Sequence, residues 1–467
     1  MRNYHLMSNY YKAVLLFGIL LMITSCKKDD DFTAYFGGQV INPRNNYIVF
    51  SKDDKVIDTL RLDKNNRFFI KFDSLTPGLY SFKNEPDYQY VYFEKNDSIM
   101  VSIDPSDFDE SIVFSGRGEK KNNFMMELFL LHEADRNKAY NVYDKEFPEF
   151  VKSIDSTYQL RKAFYEKNKA AINWSSDFDF YASSRVNLNY YTKKEYYPYL
   201  HFRRTGKEVK SKLPGNFYDF RKTINYNDTK LLHYSPYLRY LTAMLNNMAI
   251  TKDHKSGSLE EELYRDNIEK LNIADSVFSN QAVKNVVLNN IAFSYLLEDQ
   301  NITNNKKFLD RYLQLSTDDS GDNEIRKIGN AIQLLKEGRK LPDVKLVDGN
   351  NKPFDINSIK KETVIFFWTG CAKAQAEMVY EKINSLKKTY GNVAFIAVNV
   401  DEATEWKKTV TQFSSQNVLQ LRAADFKALR EKWVITKINR TIILNPDGTI
   451  KNAFANLMDE KFEESLK

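Results

Sequence analysis

Cysteine is almost absent: the 467 residues contain only Cys26 and Cys371. A framework of structural disulfides is thereby excluded. Histidine is nearly as scarce. His5, His132, His201, His233 and His254 are scattered, no two at His-x-x-x-His spacing, so a metal centre is not expected. No Gly-x-Ser-x-Gly turn and no phosphate-cradling glycine loop occurs, and nothing calls for a cofactor. The net charge of +6 is small for this length. The most basic stretch, Arg203, Arg204, Lys207, Lys210 and Lys212, reads as a solvated face rather than a phosphate track, so nucleic acid is not an expected partner. Long apolar runs are also lacking. The longest of note, Ala13–Ile23, has 11 residues, too few to cross a bilayer as a helix.

What is present begins with that run. Arg2 and Lys12 precede it, and small polar Thr24 and Ser25 follow it. A basic start, a short apolar core and a small-residue exit describe a signal peptide over residues 1–25. A short membrane anchor is the competing reading. Ile23-Thr24-Ser25-Cys26 resembles the lipobox of bacterial lipoproteins. That resemblance implies that Cys26 becomes the mature N-terminus and carries acyl chains, tethering the protein to a membrane. Removing residues 1–25 takes two bases and leaves a charge of about +4. Lys27-Lys28-Asp29-Asp30-Asp31 then forms a tether over 26–31, either plain and solvated or an address for the outer face of the outer membrane. Placement in the cell envelope, on the periplasmic or cell-surface face, follows as an expectation. With Cys26 acylated, Cys371 is the sole thiol left and no intramolecular disulfide can form.

Apolar residues make up 42% of the chain and aromatics 14%, enough for several cores. Over residues 32–118 the pattern is of short strands: Tyr47–Phe50, Val56–Leu62, Arg67–Phe72, Leu79–Phe82, Tyr88–Phe93, Ile99–Ile103 and Ile112–Phe114. Turn signals separate them, among them Asp63-Lys64-Asn65-Asn66 and Pro77-Gly78, and a β-sandwich is predicted. Residues 119–338 switch to helical spacing, with helices expected over Pro236–Asn247, Leu259–Leu271, Val283–Leu297 and Asn304–Leu315. The tyrosines at 190, 191, 196, 197 and 199 read as packing and hydrogen-bonded surface rather than a groove lining. Asp-Ser/Thr-apolar triplets at 58–60, 73–75, 97–99 and 275–277 resemble an envelope O-glycosylation signal, a weak pattern at three residues.

Residues 339–467 alternate again. Strands are expected over Thr363–Trp368, Val393–Val400, Arg440–Leu444 and Thr449–Ala455, and helices over Ala374–Lys388, Glu402–Ser414, Lys427–Lys432 and from Asp459 onward. That is a mixed sheet covered on both faces. Leu341-Pro342-Asp343, Val364–Trp368, Glu377-Met378, Ala397–Asp401, Trp433-Val434 and Thr441–Gly448 occur in the order and spacing of the thioredoxin superfamily. The segment most closely resembles the TlpA/ResA-like envelope thiol–disulfide oxidoreductases. The whole chain is thus read as multidomain α+β: an N-terminal β-sandwich, a central helical region and a C-terminal thioredoxin-like α/β domain. The β-sandwich resembles the β-domain that often precedes TlpA-like domains.

The resemblance implies a Cys-x-x-Cys turn after the Phe-Trp strand. The first thiolate, favoured by the helix N-terminus, attacks a disulfide, and the second cysteine resolves the mixed product. Here the stretch is Trp368-Thr369-Gly370-Cys371-Ala372-Lys373-Ala374-Gln375. Cys371 takes the nucleophile slot counted back from Glu377-Met378, and Ala374 the resolving slot, where a methyl group cannot attack sulfur. The family's cis-proline before a Thr is replaced by Asn439-Arg440-Thr441, and a non-proline cis bond costs about 2.5–4 kcal/mol, so a trans bond is expected at Asn439. Asn439, Arg440 and Thr441 then form a reshaped substrate edge, with Arg440 projecting into the former site. The Pro-x-x-x-Thr-x-x-Cys setting of one-cysteine peroxidases is not matched by residues 364–371. Two readings stay open: a binding or assembly factor for an envelope protein or peptide, with Cys371 inert, or a monothiol oxidoreductase in which Cys371, beside Lys373, is recycled by an external thiol.

Overall fold

The computed structural model describes residues 32–43, 45–84, 87–138, 140–250, 259–298, 301–401, 403–413, 418–435, 438–459 and 462–466. The signal peptide, Cys26 and the tether lie outside the described residues. The described residues fall into two compact units, Met1–Lys222 with Lys230–Tyr240, and Thr223–Thr229 with Leu241–Lys467. No described helix is long and apolar enough to cross a membrane.

In the first unit two four-stranded sheets face each other. One runs β4 (Arg67–Phe72), β1 (Ala34–Val40), β7 (Ser98–Ile103), β8 (Val113–Arg117). The other runs β3 (Lys55–Arg61), β2 (Tyr47–Lys52), β5 (Gly78–Asn84), β6 (Asp87–Phe93). Alternate residues of each strand point inward, which is why the aromatics at every second position meet. Phe36 of β1 packs on Phe50, Phe68, Phe82 and Phe93 at centroid distances of 5.1, 5.4, 5.7 and 5.9 Å. Such pairs add about 0.5–1.5 kcal/mol each beyond their burial.

Three long helices complete the first unit: α1 (Glu119–Lys138), α2 (Phe147–Ile172) and α3 (Ser176–Thr205). Of the tyrosines expected to pack, Tyr199 is exposed and Tyr190 lines a small cavity, while others are packed. Tyr197 is fully buried and stacks on Phe150 at 3.8 Å, and Tyr191 stacks on Phe220 at 4.7 Å. In the basic stretch, Arg204 pairs with Asp144 and Lys207 with Glu146. Asp97, from one of the triplets, is buried and accepts from Lys121 Nζ at 2.7 Å.

Helices continue through α4 (Ser235–Ala249), which is divided between the units, then α5 (Leu259–Val277), α6 (Gln281–Glu298), α7 (Ile302–Leu315) and α8 (Asp319–Leu334) in the second. The chain then enters a seven-stranded sheet of order β10 (Pro353–Phe354), β9 (Leu346–Val347), β13 (Leu419–Ala423), β12 (Ala394–Asn399), β11 (Thr363–Trp368), β14 (Arg440–Leu444), β15 (Ile450–Asn456). β11 is parallel to β12 and antiparallel to β14. All six residues of β11 are buried, as a continuous apolar strand covered on both faces requires. Its Val364, Phe366 and Trp368 face the core under α9 (Lys373–Thr389), with Trp406 of α10 (Ala403–Phe413) in the same cluster. Phe367, on the other face, meets Trp433 of α11 (Phe426–Trp433) at 6.3 Å. The helix expected from Asp459 is instead a short 3₁₀ turn, Phe462–Leu466, with Phe462 and Leu466 buried.

Candidate active-site turn

α9 packs because its apolar residues recur at helical spacing. Ala376, Val379, Tyr380, Ile383 and Leu386 are buried on one face. Its first turn is set by β11, whose last residue, Trp368, is fully buried. Thr369 leads into a 3₁₀ turn, Gly370–Ala372, that contains Cys371. Ala374 lies in the first turn of α9, one turn along from Cys371, so the chain places no second sulfur there. Lys373 is exposed, 4.0 Å from the Glu377 carboxylate.

The turn is held from the neighbouring strand. Asp401, just beyond β12, accepts a hydrogen bond from the Gly370 N–H at 2.7 Å and another from the Thr369 hydroxyl. Asn399 donates to the same carboxylate at 3.0 Å, and accepts from the Asp401 N–H at 2.9 Å. Because β11 and β12 are parallel and in register, their ends bring residues 369–370 and 401 together. An ionised carboxylate accepting from an amide gives a strong, charge-assisted bond.

Across the turn, the substrate-edge residues separate into different roles. Asn439 accepts from Gln375 Nε2 at 3.0 Å, a bond between the first turn of α9 and the segment entering β14. Gln375 Oε1 is buried and has no hydrogen-bond partner among the described residues. Thr441 is fully buried and lies opposite Phe366 in the β11–β14 ladder. Arg440 is not aimed at this bond. Its guanidinium is buried, donates from Nε to the Ala453 carbonyl at 2.8 Å and from Nη1 to the Val434 carbonyl, and stacks on Phe454 at 4.1 Å. Burial alone pushes its pKa below the usual arginine range. The expectation of a side chain projecting into the former site gives way to one that braces the end of α11, because successive residues of β14 alternate between the sheet's faces.

Sequence reading brought Trp368, Gly370, Cys371, Lys373 and Ala374 to one turn, and Asn439 to its far side. It gave no role to Asp401, Asn399 or Gln375. The signal for Asp401 was its place at the end of the strand parallel to the Phe-Trp strand. Among the described residues no cluster of His, Cys, Asp and Glu could hold a metal.

Residues 360–450 match a family model described as thioredoxin-like. No curated protein matches. Among solved structures, a thioredoxin-like protein from Bacteroides caccae is 14% identical, over 52% of this chain and 88% of that one, with a TM-score of 0.36. The thioredoxin domain of a thiol-disulfide oxidoreductase from Bacteroides vulgatus is 22% identical, over 27% of this chain and 91% of its own, with a TM-score of 0.22. A thiol:disulfide interchange protein from Bacteroides sp. is 21% identical, over 25% and 78% of the two chains, with a TM-score of 0.21. The family match and the central strand pattern agree: residues 360–450 form a thioredoxin-like domain, and Cys371 stands in its turn between β11 and α9.

Proposed function

We propose that this is a TlpA-like envelope lipoprotein, acylated at Cys26, whose thioredoxin-like domain has lost dithiol exchange and serves to bind an envelope protein or peptide. The observation that carries this reading is Ala374, one helical turn after Cys371, where resolution of a mixed disulfide needs a second thiol. Two features support it. Asp401 places a carboxylate on the Gly370 amide, beside the nucleophile position. Gln375 is bonded to Asn439 across the edge where active relatives would pair with a substrate backbone.

A second reading rests on the backbone position of Cys371, one residue ahead of Ala372, the N-cap of a 17-residue helix whose N-terminal amides favour an anion. In it the Cys371 thiolate attacks a partner's disulfide, forming one mixed disulfide and releasing one partner thiolate. An external thiol then attacks the mixed disulfide, and a second equivalent of that reductant completes the electron pair.

Insulin reduction in the presence of dithiothreitol separates the two. The binding reading expects the full mature chain and Cys371→Ser to give equal rates, with no glutathione adduct trapped on Cys371 after incubation with glutathione disulfide. A rate for the native chain above that of Cys371→Ser, together with a trapped adduct, establishes monothiol exchange instead.

A further inference from the structure

Within the first unit a partly open cavity lies among α1, α2 and α3, lined by His132, Tyr158, Arg161, Tyr190 and Lys193 together with smaller neighbours. Its enclosed part has room for about one water-sized group. Three of the polar side chains are already engaged. Tyr158 donates to Asn187 Oδ1 at 2.8 Å, Tyr190 to Asp155 Oδ1 at 2.5 Å, and Arg161 donates to both oxygens of Asp135 at 2.9 and 2.6 Å. Two are not. His132 Nε2 is buried and has no hydrogen-bond partner among the described residues. Lys193 forms no ion pair with a described carboxylate; burial lowers its pKa, while the nearby Asp135 charge works the other way.

The local charge is unbalanced. His132 on α1 feels Arg161 from α2, Arg185 and Lys193 from α3, and Arg239 from α4. Against these stand Asp135, which pairs with Arg161 and also attracts Lys193, and Asp155, bonded to Tyr190. Burial, reinforced by the four cations, holds the His132 imidazole well below its ordinary range, so it is neutral at pH 7. A half-buried ammonium beside an unsatisfied imidazole is costly unless a counter-charge joins them.

We propose that this cavity binds one small monoanionic group, a carboxylate or a chloride ion, held by Lys193 Nζ and an Nε2–H of His132. The enclosed end seats no more than one water-sized atom, so a small group must enter from the open side, and the lining, with Arg161 and Lys193 and no carboxylate, supplies the sign. A bound anion also opposes the field of the four cations, so His132 takes up a proton more readily when the site is filled.

The test uses the full mature chain at constant ionic strength in sodium acetate, sodium chloride or the bulky sodium morpholinoethanesulfonate. Acetate, chloride or both are expected to raise the unfolding temperature saturably, as a ligand of the native state does, while the sulfonate does not. Which small anion acts identifies the source. Lys193→Met is expected to weaken the apparent affinity about tenfold or more, and Lys193→Arg to retain it. In the unmodified chain, the His132 imidazole resonance followed by NMR is expected to titrate at higher pH in the effective anion than in the sulfonate. Equal unfolding temperatures in all three salts overturn the proposal, as does a saturable response unchanged by Lys193→Met. Should that variant fail to fold, an identical His132 titration in all three salts overturns it.

Discussion

Arg440 shows how a single side chain can be misassigned when only its neighbours in sequence are known. Next to Asn439 in a superfamily binding edge, a cation looks like a ligand for substrate. In the fold it is a brace. Val434 ends α11 in the left-handed region, at φ 52°, which a β-branched residue adopts only under strain. Arg440 Nη1 takes the carbonyl of this residue, and Nε takes that of Ala453, where the β14–β15 ladder is irregular between Thr441 and Ile443. Burying the guanidinium costs several kcal/mol; two charge-assisted bonds and the Phe454 stack offset part of it, while Nη2 has no hydrogen-bond partner among the described residues. Arg440→Ala is therefore expected to lose about 3 kcal/mol or more, since it leaves a cavity and two orphaned carbonyls. Arg440→Met, which refills the volume only, is expected to recover part of that loss. Urea unfolding followed by tryptophan fluorescence measures both, and an Arg440→Met midpoint equal to the parent's would show that the guanidinium's bonds contribute no net stability.

The turn before α9 was legible because β11 is an uninterrupted apolar strand ending in Trp368, and such a strand stands out from its surroundings. The bonds that hold the turn were not legible, because they join residues about thirty positions apart and exist only once β11 and β12 are in parallel register. The same limit explains the strands that periodicity missed. β1 carries Gly37 and Gly38 at its centre, which weaken a strand signal. The sheet needs them: a Cβ on Gly38 would stand 2.0 Å from the Val101 carbonyl oxygen, and one on Gly37 2.9 Å from that of Phe68. β9 and β10 are two residues each, too short for alternation to speak, whereas β13, Leu-Gln-Leu-Arg-Ala, does alternate and went unread. At this scale the Asp401 carboxylate is the testable part. Asp401→Ala removes the acceptor for both the Gly370 amide and the Thr369 hydroxyl without altering the core face of β12. The Gly370 amide is expected to exchange with solvent at least about tenfold faster, the loss of about 1.5 kcal/mol of local protection, while amides in β11 keep theirs. Hydrogen exchange by NMR or mass spectrometry measures this, and unchanged exchange at Gly370 would mean that the carboxylate does not fix the turn.

Across the second unit, the helices and the thioredoxin-like sheet are joined by a short stitched segment. Gly338 N–H donates to the Ile450 carbonyl at 2.8 Å, Ile450 N–H to that of Arg339 at 2.7 Å, and Trp433 Nε1 to that of Pro342 at 2.7 Å. Neither of the chain's two cysteines, at 26 and 371, lies in this segment. If Cys26 becomes an acylated N-terminus, its sulfur is a thioether and leaves the redox pool, and every disulfide the protein forms must join Cys371 to another molecule. The two ends of the proposal can therefore be read in one measurement. Protein extracted from membranes, denatured and treated with a thiol reagent is expected to label at a single cysteine per chain, and Cys371→Ser at none. Cys26→Ala is expected to lose incorporated fatty acid and membrane retention together, because several acyl chains on one residue supply the anchoring free energy at roughly 0.8 kcal/mol per buried methylene. Two reactive thiols in the extracted native chain, or one remaining in Cys371→Ser, would place Cys26 back among the reactive sulfurs and remove the ground for treating Cys371 as solitary.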